Sequence, residues 1–262
     1  MLRLGLIGFP LGHSLSPALH QAALEHFGLE GSYELLETPS EALAQRVEEL
    51  KSYQGFNVTL PHKEKILSFL DEVDPLAREI GAVNTVQIGR RLVGHNTDLP
   101  GFLHSLTPLG SLEGPALVLG AGGAARAVVL ALRQLGLEVW LSNRTLARAQ
   151  ALASLGARQV LTWDERLVWA SRARLIVNTT SLGLEAPWET PLPAEAFPDK
   201  GWAVDLVYRP LETRFLREAR ARGLVVLGGL EMLIWQAALA FELWTGRRPP
   251  IGLLREAALR AL

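Results

Sequence analysis

A run of small residues near the middle of the chain has the form of a phosphate-binding turn. Residues 120–125 follow the apolar segment 116–119 and precede an alanine-rich helical segment. In a dinucleotide-binding turn the first glycine permits a tight bend, the second lets backbone approach the pyrophosphate, and the third small residue lets helix and strand pack closely. The free N–H groups at the helix start also favour an anion. A purely structural turn would use the same residue types. The candidate cofactor contacts here are Gly120, Ala121, Gly122, Gly123 and Ala124.

The end of the next predicted strand distinguishes between two nicotinamide cofactors. An NAD site usually carries Asp or Glu about 20 residues past the first glycine, where it binds the ribose hydroxyls. This chain has Asn143, Arg144 and Thr145 there, without a carboxylate. The Arg144 guanidinium would bind a 2′-phosphate, and Arg148 lies one helical turn further along. The pattern indicates NADP, although an exposed arginine in a polar turn is common in so arginine-rich a chain.

Lys63 and Asp98 are the candidates for moving a proton. Dehydrogenation of an alcohol releases a proton as well as a hydride, so a base is needed near the hydroxyl. The chain has only four lysines, and lysine can lose its proton whereas arginine cannot. A helix start after Pro61 would disfavour the charged lysine, an adjacent Asp98 would favour it, and the pair could share one proton. An exposed helical lysine and a helix-capping aspartate are the alternative interpretations. Three histidines in polar loops are other candidate bases: His13, His62 and His95.

All the asparagines of the chain lie in short polar clusters. Each is one or two positions from a threonine, at or near the end of a predicted strand. Ligands of open α/β sheets bind beyond the carboxyl ends of the strands, so these clusters predict a site. Asn and Thr also favour strand-end turns for local backbone bonding, which would explain one or two clusters. The five positions are Asn57, Asn84, Asn96, Asn143 and Asn178.

Short apolar strands alternate with longer helices, a pattern that predicts parallel sheets with crossover helices. Ser16 is expected to cap the first helix, with Pro17 in its first turn and Gly28 at its end. Thr38-Pro39 opens a second helix. The turn-rich segment 107–115 is suited to a domain boundary. The predicted strands are 2–7, 33–36, 56–59, 84–88, 92–94, 116–119, 138–141, 175–177, 203–206 and 225–227, with 84–88 and 92–94 as a hairpin or a pair of edge strands. Further helices are predicted at 98–106, 124–135, 231–244 and 253–262.

The composition excludes several classes of protein. Hydrophobic residues make up 48% and charged residues 20% of the 262 residues, which is typical of soluble globular proteins. A net charge of −1 predicts no bulk attraction to nucleic acid or to an anionic membrane. The absence of cysteine excludes disulfides and cysteine-based metal sites. No apolar run approaches the roughly 20 residues of a membrane span. We therefore expect a cytoplasmic protein without a metal.

Taken together, eight ordered motifs resemble those of the shikimate dehydrogenase family. The resemblance extends from Gly8 to Gln236 and the last helices. A single motif would match by chance, but all eight motifs in the same order would not. The motifs begin at Gly8 (GFPLGHSLSP), Gly55 (GFNVTLPHK), Gly81 (GAVNT), Gly94 (GHNTDLPG), Gly120, Asn143 (NRT), Asp205 (DLVYRP) and Gly229 (GLEMLIWQ).

The resemblance implies an α/β protein of two domains: an N-terminal open α/β substrate domain and a Rossmann-type NADP-binding domain. Residues 1–100 would form the substrate domain, to which the helices of 237–262 return, and residues 101–236 the Rossmann domain. The ternary complex would lie in the cleft between them, which closes to exclude water. Lys63 would be the acid and base, paired with Asp98. Ser14 and Ser16 would bind the substrate carboxylate; Thr59, Asn84, Asp98 and Gln236 the ring hydroxyls; Tyr208 would lie beside the substrate, and Leu206 and Gly229 beside the nicotinamide.

The activity that the resemblance implies is reversible reduction of 3-dehydroshikimate to shikimate with NADPH, by a monomer or homodimer that binds no nucleic acid. A relative that uses quinate or NAD is one alternative, which the Asn143–Thr145 pattern and the paired serines oppose. A catalytically silent NADP-binding sensor is another, and the presence of Lys63 and Asp98 opposes it. A different Rossmann reductase would have no need of the N-terminal motifs.

Overall fold

The structure of the chain, a computed structural model, describes every residue from Met1 to Leu262. The chain folds into two α/β units, each with its own six-stranded sheet. The first unit comprises residues 1–101 and 234–262, and the second comprises residues 102–233. None of the helices combines the length with the apolar character that a bilayer span requires.

The first unit is built on a mixed sheet. Its strand order is β2-β1-β3-β5-β6-β4, in which β1 runs parallel to β2 and β3, whereas β5 is antiparallel to both β3 and β6. The predicted hairpin is therefore confirmed, and its insertion makes this sheet mixed rather than parallel. The elements are β1 Leu2–Gly8, α1 Ser16–His26, β2 Gly31–Glu37, α2 Leu43–Leu50, β3 Gly55–Val58, β4 Glu72–Val73, α3 Pro75–Ile80, β5 Thr85–Ile88, β6 Leu92–His95 and α4 Asp98–Ser105.

The second unit has a wholly parallel sheet of strand order β12-β11-β10-β7-β8-β9. This is the Rossmann order, in which the chain leaves the sheet centre in opposite directions and ligands bind where the order reverses. That point lies between β7 and β10, which are buried along their whole length. The elements are β7 Ala116–Leu119, α5 Gly123–Gln134, β8 Val139–Ser142, α6 Leu146–Leu152, β9 Ala157–Leu161, α7 Arg166–Ala170, β10 Leu175–Asn178, β11 Trp202–Asp205, α8 Arg214–Ala221 and β12 Val225–Leu227. The chain continues into α9 Leu230–Thr245, which belongs to the first unit from residue 234 on, and ends with α10 Ile251–Ala261 of the first unit.

Three predicted helix starts are wrong in detail. Ser16 is the first residue of α1 and not its cap, because Leu15 occupies the cap position and no side chain caps this end. Thr38-Pro39 leads into a short 3₁₀ turn, Ser40–Ala42, before α2 begins. Lys63 lies in a turn ahead of the 3₁₀ helix Lys65–Phe69 and not at the start of an α-helix. In each case a proline suits several kinds of turn, and the local sequence does not choose between them.

Each sheet is covered by its own apolar core. In the first unit Ile7, Phe56 and Val86 are fully buried on adjacent strands. In the second, Leu117, Ile176 and Ala203 are fully buried, with Phe197 and Phe215 packed against them. The sheets therefore hold the loops at their strand ends on rigid supports.

Candidate active site

Lys63 and Asp98 form a close ion pair in the first unit. Lys63 Nζ donates a hydrogen bond to Asp98 Oδ2 over 2.6 Å, and their side chains are 16% and 5% exposed. Lys63 lies in the loop after β3, and its carbonyl accepts a hydrogen bond from the Val83 N–H at 2.8 Å. Asp98 is the first residue of α4. Two residues 35 positions apart in the sequence are thus brought together at one end of the sheet.

The Asp98 carboxylate is held at both oxygens. While Oδ2 binds Lys63, Oδ1 accepts a hydrogen bond from Asn84 Nδ2 at 2.9 Å. The sequence suggested that Asp98 caps its own helix, but Asn96 does so instead. Its Oδ1 accepts from the backbone N–H groups of Asp98 at 3.0 Å and Leu99 at 3.2 Å. Because Asn96 satisfies those amides, the Asp98 carboxylate remains available to Lys63.

Asn84 uses its side-chain amide entirely within the protein. Its Nδ2 donates to Thr97 Oγ1 and to Asp98 Oδ1, and its Oδ1 accepts from the Thr97 N–H and the Thr85 hydroxyl. An amide has two donors and two lone pairs, so none is left over. A substrate hydroxyl at this predicted contact would have to share one of these atoms. Gly81 ends α3 in the left-handed conformation, φ 71°, and turns the chain toward Asn84.

Ser14 lies in the loop between β1 and α1, and Ser16 is the first residue of α1. Ser14 Oγ accepts a hydrogen bond from the Ser16 N–H at 3.3 Å. Ser14 is half-buried and Ser16 is buried. Thr59 follows β3, and a Cβ at Gly8 would come within 2.4 Å of Thr59 Cγ2. Glycine is therefore required at position 8 for the ends of β1 and β3 to approach, which places Thr59 beside the last residue of β1.

Gln236 belongs to the first unit, although its sequence position lies in the predicted Rossmann segment. It lies on α9 and is half-buried. A Cβ at Gly101 would stand 3.0 Å from both the Cβ and the backbone N of Gln236. The absence of a side chain at Gly101 thus allows α4, which carries Asp98, to pack closely against the helix that carries Gln236.

The glycine turn of the second unit fits a dinucleotide. Gly120 follows β7 with φ 115°, and a Cβ there would lie 2.4 Å from Thr179 Oγ1, so only glycine is accommodated. A Cβ at Gly122 would meet nothing within 4 Å, so the backbone is open to a ligand. No side chain caps the N-terminus of the 12-residue α5, which leaves the amides of its first turn, including Gly123 and Ala124, for an anion. Ala121, between the two glycines, is buried.

The end of β8 fits a 2′-phosphate rather than a free ribose hydroxyl. Arg144 and Arg148 are exposed, and neither guanidinium has a hydrogen bond or an ion pair within the protein. Asn143 Nδ2 donates to the Thr145 carbonyl at 2.9 Å, which fixes the turn between β8 and α6. Two cations without carboxylate partners are suited to a phosphate dianion.

Two backbone segments meet after β11. A Cβ at Gly229 would lie 2.2 Å from the Leu206 carbonyl oxygen, so glycine is required for this approach. The Gly229 N–H donates to the Val207 carbonyl at 3.2 Å. Tyr208, two residues beyond Leu206, is half-buried. The structure therefore brings the predicted nicotinamide contacts Leu206 and Gly229 together.

Asp205 is a functional residue of the second unit whose role the sequence does not predict. Its carboxylate is fully buried and accepts hydrogen bonds from Asn178 Nδ2 at 2.9 Å, the Val207 N–H at 3.0 Å and the Thr213 hydroxyl at 2.6 Å. Burial raises its pKa from 3.8 to about 6, and these three donors oppose the rise. Asp205 joins β10, β11 and the start of α8. The only sequence signal for this role was the asparagine cluster at Asn178.

Comparison with known proteins agrees with this architecture. Residues 6–86 match the family model of the shikimate dehydrogenase substrate binding domain, and residues 229–259 match that of the shikimate 5′-dehydrogenase C-terminal domain. A shikimate dehydrogenase (NADP+) of Thermus thermophilus is 59% identical, with 100% of this chain and 99% of that protein covered.

Solved structures show the same similarity. The crystal structure of a Thermus thermophilus shikimate 5-dehydrogenase in complex with NADP(H) and shikimate has a TM-score of 0.93 to this chain, at 59% identity and with 100% of both chains covered. The quinate dehydrogenase of Corynebacterium glutamicum in complex with NAD is more distant, at 34% identity and a TM-score of 0.90, with 99% of each chain covered. On this identity and coverage, the chain belongs to the shikimate dehydrogenase family.

Proposed function

We propose that this chain is an NADP-dependent dehydrogenase that reversibly reduces 3-dehydroshikimate to shikimate, a step in the biosynthesis of aromatic amino acids. The observation that carries the proposal is the 2.6 Å contact between Lys63 and Asp98. A lysine and an aspartate held this way form a proton-transfer pair. They lie in the unit that contains the whole match to the substrate binding domain model, residues 6–86.

Lys63 is the residue that exchanges the proton. In the reduction its ammonium group donates a proton to the carbonyl oxygen of the substrate, and in the oxidation the pair accepts the hydroxyl proton. Asp98 keeps Nζ in position and compensates its charge. NADPH, when bound, supplies the hydride. A partly buried pair of this kind holds its geometry in both directions of the reaction, because Asn84 fixes the second carboxylate oxygen.

Apart from the Asp98 carboxylate, the proposed substrate contacts are neutral hydroxyls and amides. Ser14 and Ser16 bind the carboxylate. Side chains next to the strand ends, at the start of α4 and on α9 bind the ring hydroxyls. A site that pairs each substrate hydroxyl with a buried donor or acceptor rejects analogues that lack one of these hydroxyls, because the protein group that would bind it is then left unpaired. The hydroxyl-binding residues are Thr59, Asn84, Asp98 and Gln236, and Tyr208 lies beside the substrate.

The second unit binds NADP in this proposal. The turn 120–124 binds the pyrophosphate, Arg144 and Arg148 bind the 2′-phosphate with Asn143 and Thr145 beside it, and Leu206 and Gly229 present backbone to the nicotinamide. The two arginines without carboxylate partners support NADP, since an NAD site would carry an acidic residue at the end of β8.

Steady-state reduction of NADP+ at 340 nm with shikimate tests the proposal, in the wild type and in Lys63→Ala. We expect kcat to fall about 100- to 10,000-fold in Lys63→Ala, because proton transfer to a positioned side chain contributes about that factor. Binding of NADP+ should be retained. Lys65→Ala is the matched control, since Lys65 is exposed and bonds only to Ser40 Oγ at 3.0 Å.

Quinate and NAD+ complete the assay, because the quinate dehydrogenase relative shares this fold. Faster turnover with quinate and NAD+ than with shikimate and NADP+ would favour that activity instead. Tight NADP+ binding without turnover of either substrate would contradict the enzymatic assignment and favour an NADP-binding sensor.

A further inference from the structure

Four buried polar side chains lead across the sheet of the first unit to the catalytic pair. Tyr33 O–H donates to Asn57 Oδ1 at 2.7 Å, and Asn57 Nδ2 donates to Thr85 Oγ1 at 3.0 Å. The Thr85 hydroxyl donates to Asn84 Oδ1 at 3.2 Å, and Asn84 Nδ2 donates to Asp98 Oδ1 at 2.9 Å. We call Tyr33, Asn57, Thr85 and Asn84 the polar chain. Each member donates toward the next, and the last donates to the carboxylate that binds Lys63.

The direction of the polar chain is fixed by backbone groups. Asn57 Nδ2 also donates to the Asn84 carbonyl at 3.1 Å, and a carbonyl accepts only, so the Asn57 amide has a single orientation. The Thr97 N–H donates to Asn84 Oδ1 at 2.7 Å, which fixes the Asn84 amide in the same way. With both amides fixed, the Tyr33 hydroxyl has to donate to Asn57. Thr85 Oγ1 accepts from Asn57, and its own proton lies within reach of Asn84 Oδ1 at 3.2 Å and of Thr97 Oγ1 at 3.3 Å, which are both hydrogen-bonded within the same Asn84–Thr97 pair beside Asp98.

The polar chain follows the sheet. Tyr33 lies on β2 and Asn57 on β3, and Asn57 is paired directly opposite Thr85 of β5. All four members are buried, with exposures of 8%, 5%, 0% and 2% for Tyr33, Asn57, Thr85 and Asn84. In so dry an environment hydrogen bonds that point the same way polarise one another. Each donor therefore strengthens the next, and the sum acts on Asp98.

The groups around the far end of the polar chain are uncharged. His20 stacks on Tyr33 with ring centroids 4.2 Å apart, and burial lowers the pKa of His20 to about 3, so its imidazole is neutral. Burial raises the pKa of Tyr33, and the adjacent Ser16 hydroxyl opposes that rise. Phe241 and Trp244 complete the aromatic surroundings of His20. Charge is therefore confined to the end at Asp98 and Lys63.

We propose that Tyr33, Asn57 and Thr85 are positioning residues, which act through Asn84 to orient and stabilise the Asp98 carboxylate toward Lys63. The proposal rests on the role of Lys63 and Asp98 in the proposed function. It adds that residues which do not themselves exchange the proton set the geometry of the proton-transfer pair. If these residues served only to fill the core, removal of a single hydroxyl would change stability without changing the pair.

Thr85→Val and Tyr33→Phe test the proposal, because each removes one hydroxyl and keeps the shape of the side chain. We expect kcat for shikimate oxidation to fall about three- to tenfold in Thr85→Val and less in Tyr33→Phe, with KM for NADP+ unchanged. In the double variant Tyr33→Phe should add no further loss, because Thr85→Val has already interrupted the polar chain. Tyr53→Phe is the matched control. The Tyr53 hydroxyl is hydrogen-bonded to Glu34 and Arg3, outside the polar chain. The kcat of Tyr53→Phe should therefore equal that of the wild type.

A spectroscopic measurement separates this proposal from the proposed function. With ¹³C-labelled lysine, NMR of the four lysines resolves Lys63, whose signal is identified by its loss in Lys63→Ala. We expect the Lys63 signal to shift in Thr85→Val and in Tyr33→Phe, and not in Tyr53→Phe. This readout needs no turnover, so it holds even if shikimate proves not to be the substrate. An unmoved Lys63 signal in both variants, or losses of kcat that multiply in the double variant, would overturn the proposal.

Discussion

At the scale of single residues, the candidate site depends on which asparagine caps α4. Asn96 accepts hydrogen bonds from the amides of Asp98 and Leu99, a role that the sequence suggested for Asp98 itself. An aspartate occupied with its own helix start would be poorly placed to bind a lysine. The division of roles between Asn96 and Asp98 therefore separates helix capping from chemistry, although both residues lie in one short motif.

Cofactor preference is also decided by single residues. We expect Arg144→Ala to raise KM for NADP+ about tenfold and to leave KM for NAD+ nearly unchanged, because a hydrogen bond to a charged group contributes about 1.5 kcal/mol or more. Arg158→Ala is the control, since Arg158 is an exposed arginine of the same unit that is paired with Glu138 at 3.6 Å. Equal changes for the two cofactors in Arg144→Ala would show that Arg144 does not bind the 2′-phosphate.

At the scale of elements, Asp205 links three parts of the second unit. Its carboxylate accepts hydrogen bonds from β10, from the loop after β11 and from the residue before α8. The same loop carries Leu206, which meets Gly229. A buried carboxylate is thus responsible for fixing the backbone near the predicted nicotinamide contacts.

The raised pKa of Asp205 makes the stability of these elements depend on pH. The pKa of Asp205 is about 6 in the folded protein, against an ordinary value of 3.8 that applies to the unfolded chain. Between these two pH values the folded protein therefore binds more protons than the unfolded chain. The stabilisation is complete below about pH 4 and is lost as the pH rises through about 6, for a total of about 2–3 kcal/mol. Asp205→Asn cannot titrate. We therefore expect the free energy of unfolding of the wild type, relative to that of Asp205→Asn, to decrease between pH 4 and pH 7.

Denaturant unfolding at several pH values measures this difference. Asp199→Asn serves as the control, since Asp199 is 94% exposed and its removal should give no such trend. A difference between wild type and Asp205→Asn that stays constant from pH 4 to pH 7 would mean that Asp205 has an ordinary pKa despite its burial.

At the scale of the whole molecule, the glycine turn and the free arginines predict that the folded chain is stabilised by NADP+. A ligand at 100 times its Kd contributes about 2.7 kcal/mol. For a protein of this size that corresponds to a rise in Tm of about 5–10 °C. NAD+ at the same concentration should raise Tm less. The double variant Arg144→Ala/Arg148→Ala should lose the difference between the cofactors, and an equal rise with NAD+ in the wild type would contradict the predicted preference.

The sequence by itself determined the fold class and the chemistry-bearing residues. The β/α alternation, the hairpin at β5 and β6, and the turn at Gly120 follow from local residue patterns, because strand and helix periodicity and glycine turns are properties of neighbouring residues. The short elements β4, α3, α6, β9, α7 and α8 were missed, since stretches of two to eight residues carry too little periodicity. The starts at Ser16 and Lys63 were wrong, since a proline after a strand suits several turns.

The tertiary structure decided which of these residues act together. Tyr33, Asn57 and Asp98 are separated by 24 or more positions in the sequence, and only the strand order β2-β1-β3-β5 brings them into one polar chain. The burial that raises the pKa of Asp205 likewise comes from elements on both sides of its strand. Hydrogen bonds and desolvation depend on distances between atoms, and residue spacing along the chain does not specify those distances until the sheets are formed.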